Sequence, residues 1–208
     1  MKNLKLFALA LTLAFAVSCK SDKKESETEA ATKVASTENF VVKPEATSVK
    51  WTAYKTTEKK PVGGEFITLN FDNKSGATPH EALNGLQFSI PVSSLFTKDE
   101  SRDAKLKTSF FGSMIDPSIL RGTIKYENED YSATITMNGV TTDLPLQVSI
   151  SDERRVTMKG TMQLKDWNAL GALEALNKVC FDLHKGPDGV SKTWEDVAIE
   201  VNTFLRKN

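Results

Sequence analysis

Few residues in this chain of 208 could carry chemistry, and those few stand apart from one another. There are two cysteines, Cys19 and Cys180, and two histidines, His80 and His184. Cys180 has His184 four residues on, the pairing of thiol and base that a nucleophilic cysteine requires. Set between Val179 and Phe181, it is more simply a small buried apolar residue. His80 follows Pro79 in a Gly-Ala-Thr-Pro loop, and His184 precedes a Lys185-Gly186-Pro187-Asp188-Gly189 turn. Neither has metal-ligand spacing to the other or to Cys180. Paired carboxylates at Asp99-Glu100 and Asp152-Glu153 lie among charged neighbours at element ends, where solvated surface is their usual setting. Asp103, in Ser101-Arg102-Asp103, reads as a local cap or a partner for Arg102. No Gly-rich phosphate loop, nucleophile elbow or HExxH sequence occurs. Gly63-Gly64 reads as the entry to a strand, where the backbone needs room. No acid, base and nucleophile assemble, so the sequence assigns no catalytic residue, no metal and no cofactor.

Cys19 has different surroundings. Lys2 and Lys5 precede an apolar run of 12 residues from Leu6 to Val17. A membrane-crossing helix needs about 20, whereas a secretory signal core is this short. The run ends in Ala16-Val17-Ser18-Cys19, which resembles the bacterial lipoprotein cleavage box, with Ala16 where leucine is commoner. That resemblance implies a signal peptide over 1–18 and a Cys19 that carries fatty-acyl chains such as palmitate. An ordinary signal peptide with a chance cysteine is the other reading. Residues 19–39 are charged and small, with one valine and no aromatic, so they predict a flexible tether. The chain has 27 basic and 27 acidic residues, and loss of Lys2 and Lys5 would leave it slightly negative. That balance offers no basic excess for nucleic acid and no polybasic patch for anionic lipid. Membrane attachment would therefore come from the acyl chains, of which stable anchoring needs two or more. A lipidated Cys19 also leaves Cys180 without a disulfide partner.

The remaining 40–208 is the length of one domain, and its residues alternate in short runs. Val49, Trp51 and Ala53 share one face of a strand, and Leu86, Phe88 and Ile90 repeat the pattern before Pro91. Tyr131, Ala133, Ile135 and Met137 lead into an Asn138-Gly139 hairpin turn, and Leu144, Leu146, Val148 and Ile150 return. Val156, Met158, Gly160, Met162 and Leu164 form another run, and Val197, Ile199 and Val201 the last. Period two with one apolar face predicts half-buried antiparallel strands. Asp99 to Thr108 reads as a short helix with acidic start and basic end, and Trp167 to Phe181 as the longest helix. Many strands with few helices fit a sandwich or a closed barrel, and closure removes edges that invite aggregation. In a barrel of about eight strands, inward residues either fill the centre or surround a ligand. Trp51, Phe66, Phe88, Phe110, Phe111, Met137, Met158 and Met162 are the large, adaptable wall candidates, with Leu86, Ile90, Ile135, Leu146 and Val148 beside them. Periodicity alone does not choose between a filled core and a cavity.

Four segments, in order, resemble the YceI-like family of lipid-binding proteins. Thr134-Ile-Thr-Met-Asn-Gly-Val-Thr-Thr-Asp-Leu-Pro-Leu146 is similar to its "L-T-x-N-G-V-T-K-x-V-x-L" hairpin. Ser101-Arg102-Asp103 through Leu106-Lys107-Thr108-Ser109-Phe110-Phe111 resembles "R-D-x-H-L-x-S-x-D-F". Gly160-Thr-Met-Gln-Leu-Lys-Asp-Trp-Asn168 resembles "G-x-x-x-L-x-D-F-x", and Val49 to Tyr54 followed by Gly64-Glu65-Phe66 resembles the opening strand and its "G-x-F" step. The resemblance implies a mainly β, antiparallel up-and-down, lipocalin-like barrel of eight strands with one or two short helices. It also implies an apolar cavity for a polyisoprenoid or isoprenoid quinone, with storage or transport but no catalysis. The thirteen wall residues named above would then be ligand contacts, and Arg102, Lys105 and Lys107 would meet a pyrophosphate or quinone headgroup at the mouth. Ala104-Lys105 stands where the family often has a histidine before the leucine, and the opening strand lacks a histidine. The section from Trp167 to Trp194 is longer and more helical than in short members. The expected setting is the bacterial cell envelope, on the periplasmic or cell-surface side, with a homodimer left open. Two rivals remain: a structural or interaction lipoprotein with a filled core, and a hydrolase built around Cys180 and His184.

Overall fold

The computed structural model describes residues 39–207. The 1–18 leader, Cys19 and all but the last residue of the 19–39 tether lie outside the described residues. In chain order the elements are β1 (Phe40–Val41), β2 (Thr47–Lys55), β3 (Lys60–Phe66), β4 (Asn70–Phe71), β5 (Ser75–Gly76), α1 (Pro79–Leu83), β6 (Gln87–Pro91) and β7 (Leu95–Phe96). They continue with α2 (Glu100–Lys105), β8 (Ile119–Glu127), β9 (Asp130–Met137), β10 (Val140–Ser151), β11 (Arg155–Gln163), α3 (Leu170–Val179), β12 (Asp196–Phe204) and β13 (Arg206–Lys207).

The fold is mainly β. Ten strands form one antiparallel, curled sheet in the order β4-β6-β8-β9-β10-β11-β12-β2-β3-β7. The eight strands between the two edges are the long ones; the edges β4 and β7 have two residues each. Among the described residues no ladder joins β4 to β7, so the barrel is a curled sheet whose hydrogen bonding stops at that seam. Between β8 and β12 the strands run up and down consecutively. The seam between the two ends of the chain falls mid-sheet, where Ile199 of β12 faces Trp51 of β2 and Val201 faces Val49. A small sheet, β13-β1-β5, stands apart from the large one.

The hairpins show how the register is set. Asn138 (φ 53°) and Gly139 (φ 70°) are both left-handed, the turn whose twist matches antiparallel strands. Asn138 also uses its side chain: Ile115 N–H donates to Oδ1 at 2.9 Å, and Nδ2 donates to the Trp167 and Asn168 carbonyls at 3.1 and 3.0 Å. Asp152 (φ 50°) and Glu153 (φ 59°) occupy the same conformation between β10 and β11. This carboxylate pair is therefore turn backbone as well as solvated surface.

Three local expectations change. His80 is on α1, not in a loop: Thr78 Oγ1 accepts the Glu81 N–H at 3.2 Å and starts the helix at Pro79. Asp99, rather than Asp103, caps α2; its Oδ1 accepts the Arg102 N–H at 2.9 Å, and its other oxygen lies 3.4 Å from the Arg102 guanidinium. Asp103 instead accepts from the Thr97 N–H and hydroxyl at 2.9 and 2.6 Å, fastening α2 to β7. The stretch after α2 widens into a π-helix over Leu106–Phe110, a geometry that inserts an extra residue per turn. The expected Trp167–Phe181 helix is shorter. Trp167 ends a 3-10 turn, Asn168 turns left-handed at φ 52°, and α3 starts at Leu170.

Candidate functional site

The inner face of the curled sheet does not close on itself. On β2, Thr47, Val49, Trp51 and Ala53 point inward at period two, and all four line one cavity. Facing strands contribute Phe88 and Ile90 of β6, Ile135 and Met137 of β9, Leu144 and Leu146 of β10, and Met158 and Met162 of β11. Leu106, Phe110 and Phe111 from the helical stretch and Leu173 and Leu176 of α3 cover one end. Phe110 and Phe111 meet edge to face, 5.0 Å between ring centres, an arrangement that aromatic quadrupoles favour.

The cavity volume is about 200 Å³. One water needs about 10–15 Å³, so this is no packing defect. Among the described residues, the wall carries no Asp, Glu, Lys, Arg or His. Its hydroxyls are turned to other partners: Thr47 donates to the Lys43 carbonyl at 2.8 Å and lies 2.7 Å from Thr203 Oγ1, while Thr193 donates to Asn177 Oδ1 at 2.7 Å. An apolar ligand is the chemistry such a space suits, because an ion there would lose its hydration without compensation.

Of the residues expected on the wall, Trp51, Phe66, Leu86, Phe88, Ile90, Phe110, Phe111, Ile135, Met137, Leu146, Met158 and Met162 line the cavity. Val148 does not. It packs instead against the core cluster that holds Val156 and Leu205, both 0 % exposed. Arg102, Lys105 and Lys107 are absent from the wall as well; Arg102 pairs with Asp99, and Lys105 Nζ donates to Ser101 Oγ at 2.6 Å. Leu173 and Leu176 also line the cavity and are not among the expected wall residues; they fall in the stretch expected as the longest helix. Their spacing on one face of α3 was the available signal, but nothing in it distinguishes a lid from a core helix.

Burial holds Cys180 and His184 each away from its charged form. Burial pushes the Cys180 thiol up, against the opposing pull of the Lys105 and Lys55 charges. Burial pushes the His184 imidazole down, with Lys55 adding to it, and Nδ1 lies 2.7 Å from Thr193 Oγ1. At the far end, His80 Nδ1 lies 2.8 Å from the Tyr131 hydroxyl, whose pKa burial and Tyr126 push up to about 12.

A sequence profile of the YceI-like domain matches residues 40–204. No curated protein matches the sequence. A polyisoprenoid-binding domain from Saccharophagus degradans, implicated in plant cell wall breakdown, is similar in structure. It is 14% identical, with a TM-score of 0.60 over 83% of this chain and 99% of that one. BcnA of Burkholderia cenocepacia is 16% identical with a TM-score of 0.49, covering 79% of this chain and 98% of its own. The YCEI protein of Campylobacter jejuni is 18% identical with a TM-score of 0.48, covering 71% of this chain and 85% of its own. At 14% identity the likeness to the Saccharophagus degradans domain is one of fold.

Proposed function

The chain belongs to the YceI-like family, and on that premise we propose that it holds an isoprenoid-like amphiphile, a polyprenyl chain or an isoprenoid quinone, for storage or transport. The observation that carries this reading is the charge-free wall, which runs along β2 from Thr47 to Ala53, about 20 Å at ~3.3 Å per residue. A wall of carbon suits a ligand whose affinity comes from apolar burial. At about 0.8 kcal/mol per buried carbon, a five-carbon isoprene unit contributes about 4 kcal/mol before ordering costs. Met137, Met158 and Met162 add side chains that adjust to an irregular chain. Binding of this kind needs no catalytic group, and the protonated, buried Cys180 supports binding without turnover. The leader and Cys19 support a lipid-anchored protein of the bacterial envelope, its cavity tethered beside the bilayer that holds such ligands.

The test is extraction of lipid from the purified full chain, followed by native mass spectrometry of the delipidated protein with added polyprenyl compounds. One polyprenyl molecule retained or taken up per chain is the expected result. No bound lipid and no uptake would overturn the reading in favour of a filled structural core.

A further inference from the structure

The protein has three tryptophans, and two of them have settled hydrogen bonds. Trp167 Nε1 donates to the Ile135 carbonyl at 3.0 Å, and Trp194 Nε1 donates to the Thr56 carbonyl at 2.8 Å. Trp51 is buried to the same degree as a core residue, 8 % exposed, yet its Nε1 is buried without a partner. A buried N–H left unpaired is costly, which is why the great majority in folded proteins are satisfied. The one other orphan among the described residues, Thr56 Oγ1, does not belong to the cavity wall, whereas Trp51 does.

Local packing keeps the indole where it is. Trp51 faces Gly64 across the β2–β3 ladder, and a side chain at 64 would collide with Cε2, the carbon bonded to Nε1, at 2.8 Å. The ring therefore lies on bare backbone. Trp51 is the middle residue of β2, four positions from either end, so its backbone stands about 13 Å from each.

We infer that Trp51 is the point at which the cavity recognises its ligand's oxygen, with the indole N–H donating to a neutral acceptor on a polyprenyl chain. This rests on the binding reading above. The acceptor is neutral because, among the described residues, the wall holds no cation to balance an anion. That specifies a carbonyl, as in a quinone, or an alcohol, and excludes a pyrophosphate at this depth. Nε1 is buried, so the ligand's oxygen reaches it by displacing a neighbouring wall side chain.

The experiment compares the full wild-type chain with Trp51→Phe for binding of squalene, menaquinone-4 and geranylgeraniol. Squalene is an isoprenoid hydrocarbon with no acceptor, and the other two supply a carbonyl and an alcohol. Trp51→Phe should weaken one or both oxygenated ligands about tenfold, which is about 1.4 kcal/mol, and leave squalene within about twofold. In the wild-type protein, the Trp51 indole proton should move downfield in the NMR spectrum with that oxygenated ligand and not with squalene. Equal losses for all three ligands, or no selective shift of that proton, would overturn the assignment while leaving the cavity reading intact. Failure of the wild type to bind any of the three would remove both.

Discussion

The contact between Trp51 and Gly64 predicts opposite outcomes for one chemical change made at two glycines. In Gly64→Ala, the new Cβ would sit 2.5 Å from Trp51 Cζ2, 2.8 Å from Trp51 Cε2 and 2.8 Å from Thr97 Cγ2. Carbon atoms settle at about 3.5–4.0 Å, so the ring has to retreat by about 1 Å. Thr97 cannot yield easily, since its hydroxyl is tied to Asp103 at 2.6 Å. Overpacking of this kind costs about 1–3 kcal/mol, or roughly 2–12 °C in Tm for a domain of this size. The retreating indole also moves into the cavity, so ligand affinity should fall together with stability. Gly171→Ala is the control: a Cβ there has nothing within 4 Å, and the residue is the second of α3. In a helix alanine is favoured over glycine by up to about 1 kcal/mol, so this variant should be neutral or more stable. Urea unfolding and thermal melts of both variants decide the matter. If Gly64→Ala loses less than about 0.5 kcal/mol, or if both variants shift alike, the ring does not rest on the backbone of residue 64 and the reasoning fails.

Cys19→Ala should release the protein from the membrane fraction into the soluble one, and retention there would remove the anchor from the proposed function. In that variant Cys180 is the remaining thiol; being buried and shifted toward its protonated form, it should resist a thiol reagent at neutral pH until the protein is unfolded. Rapid labelling of the native state would contradict this. Absorbance titration should show one tyrosine, Tyr131, ionising near pH 12 rather than 10, with the late step missing in Tyr131→Phe. Because the folded-state value is the raised one, its contribution to stability is complete below about pH 10 and is lost as the pH climbs through 12. Stability that holds constant over that interval would count against the burial of the phenol.

The wall was legible because strand periodicity and cavity lining are the same geometric fact. Every second residue of β2, β6, β9 and β11 faces inward, and alternation in the sequence reports the facing directly. Depth is what alternation does not encode. Val148 and Leu146 share one face of β10, yet only Leu146 lines the cavity, while Val148 packs against the core cluster that holds Val156 and Leu205. Side-chain capping was equally ambiguous. Asp99 and Asp103 both stand near the start of α2, and only the folded backbone decides that the first caps it while the second reaches Thr97. Gly63-Gly64 reads as the entry to a strand with backbone room; the room at Gly64 is there, but both glycines lie inside β3, and the room's occupant is not visible in the sequence. Gly64 and Trp51 lie thirteen residues apart and meet only through the β2–β3 register. The hairpin at Asp152-Glu153 lacks the glycine or asparagine that announces such turns, so its left-handed backbone left no trace in composition.

The seam between β2 and β12 bears on how the molecule is assembled over time. The sheet's longest-range ladder joins Trp51 to Ile199, so one flank of β2 stays bare until nearly the whole chain is present. Loop-closure entropy must be overcome before that ladder returns anything, which places the protein among slow folders of high contact order. A polypeptide stopped short of β12 would expose two facing edges, one on β11 and one on β2, each able to recruit a strand from another molecule. Truncation after residue 195 should therefore yield aggregates rather than a smaller barrel. β12 thus acts as a check on the domain's assembly: its Val197, Ile199, Val201 and Thr203 complete a wall that the earlier strands leave open.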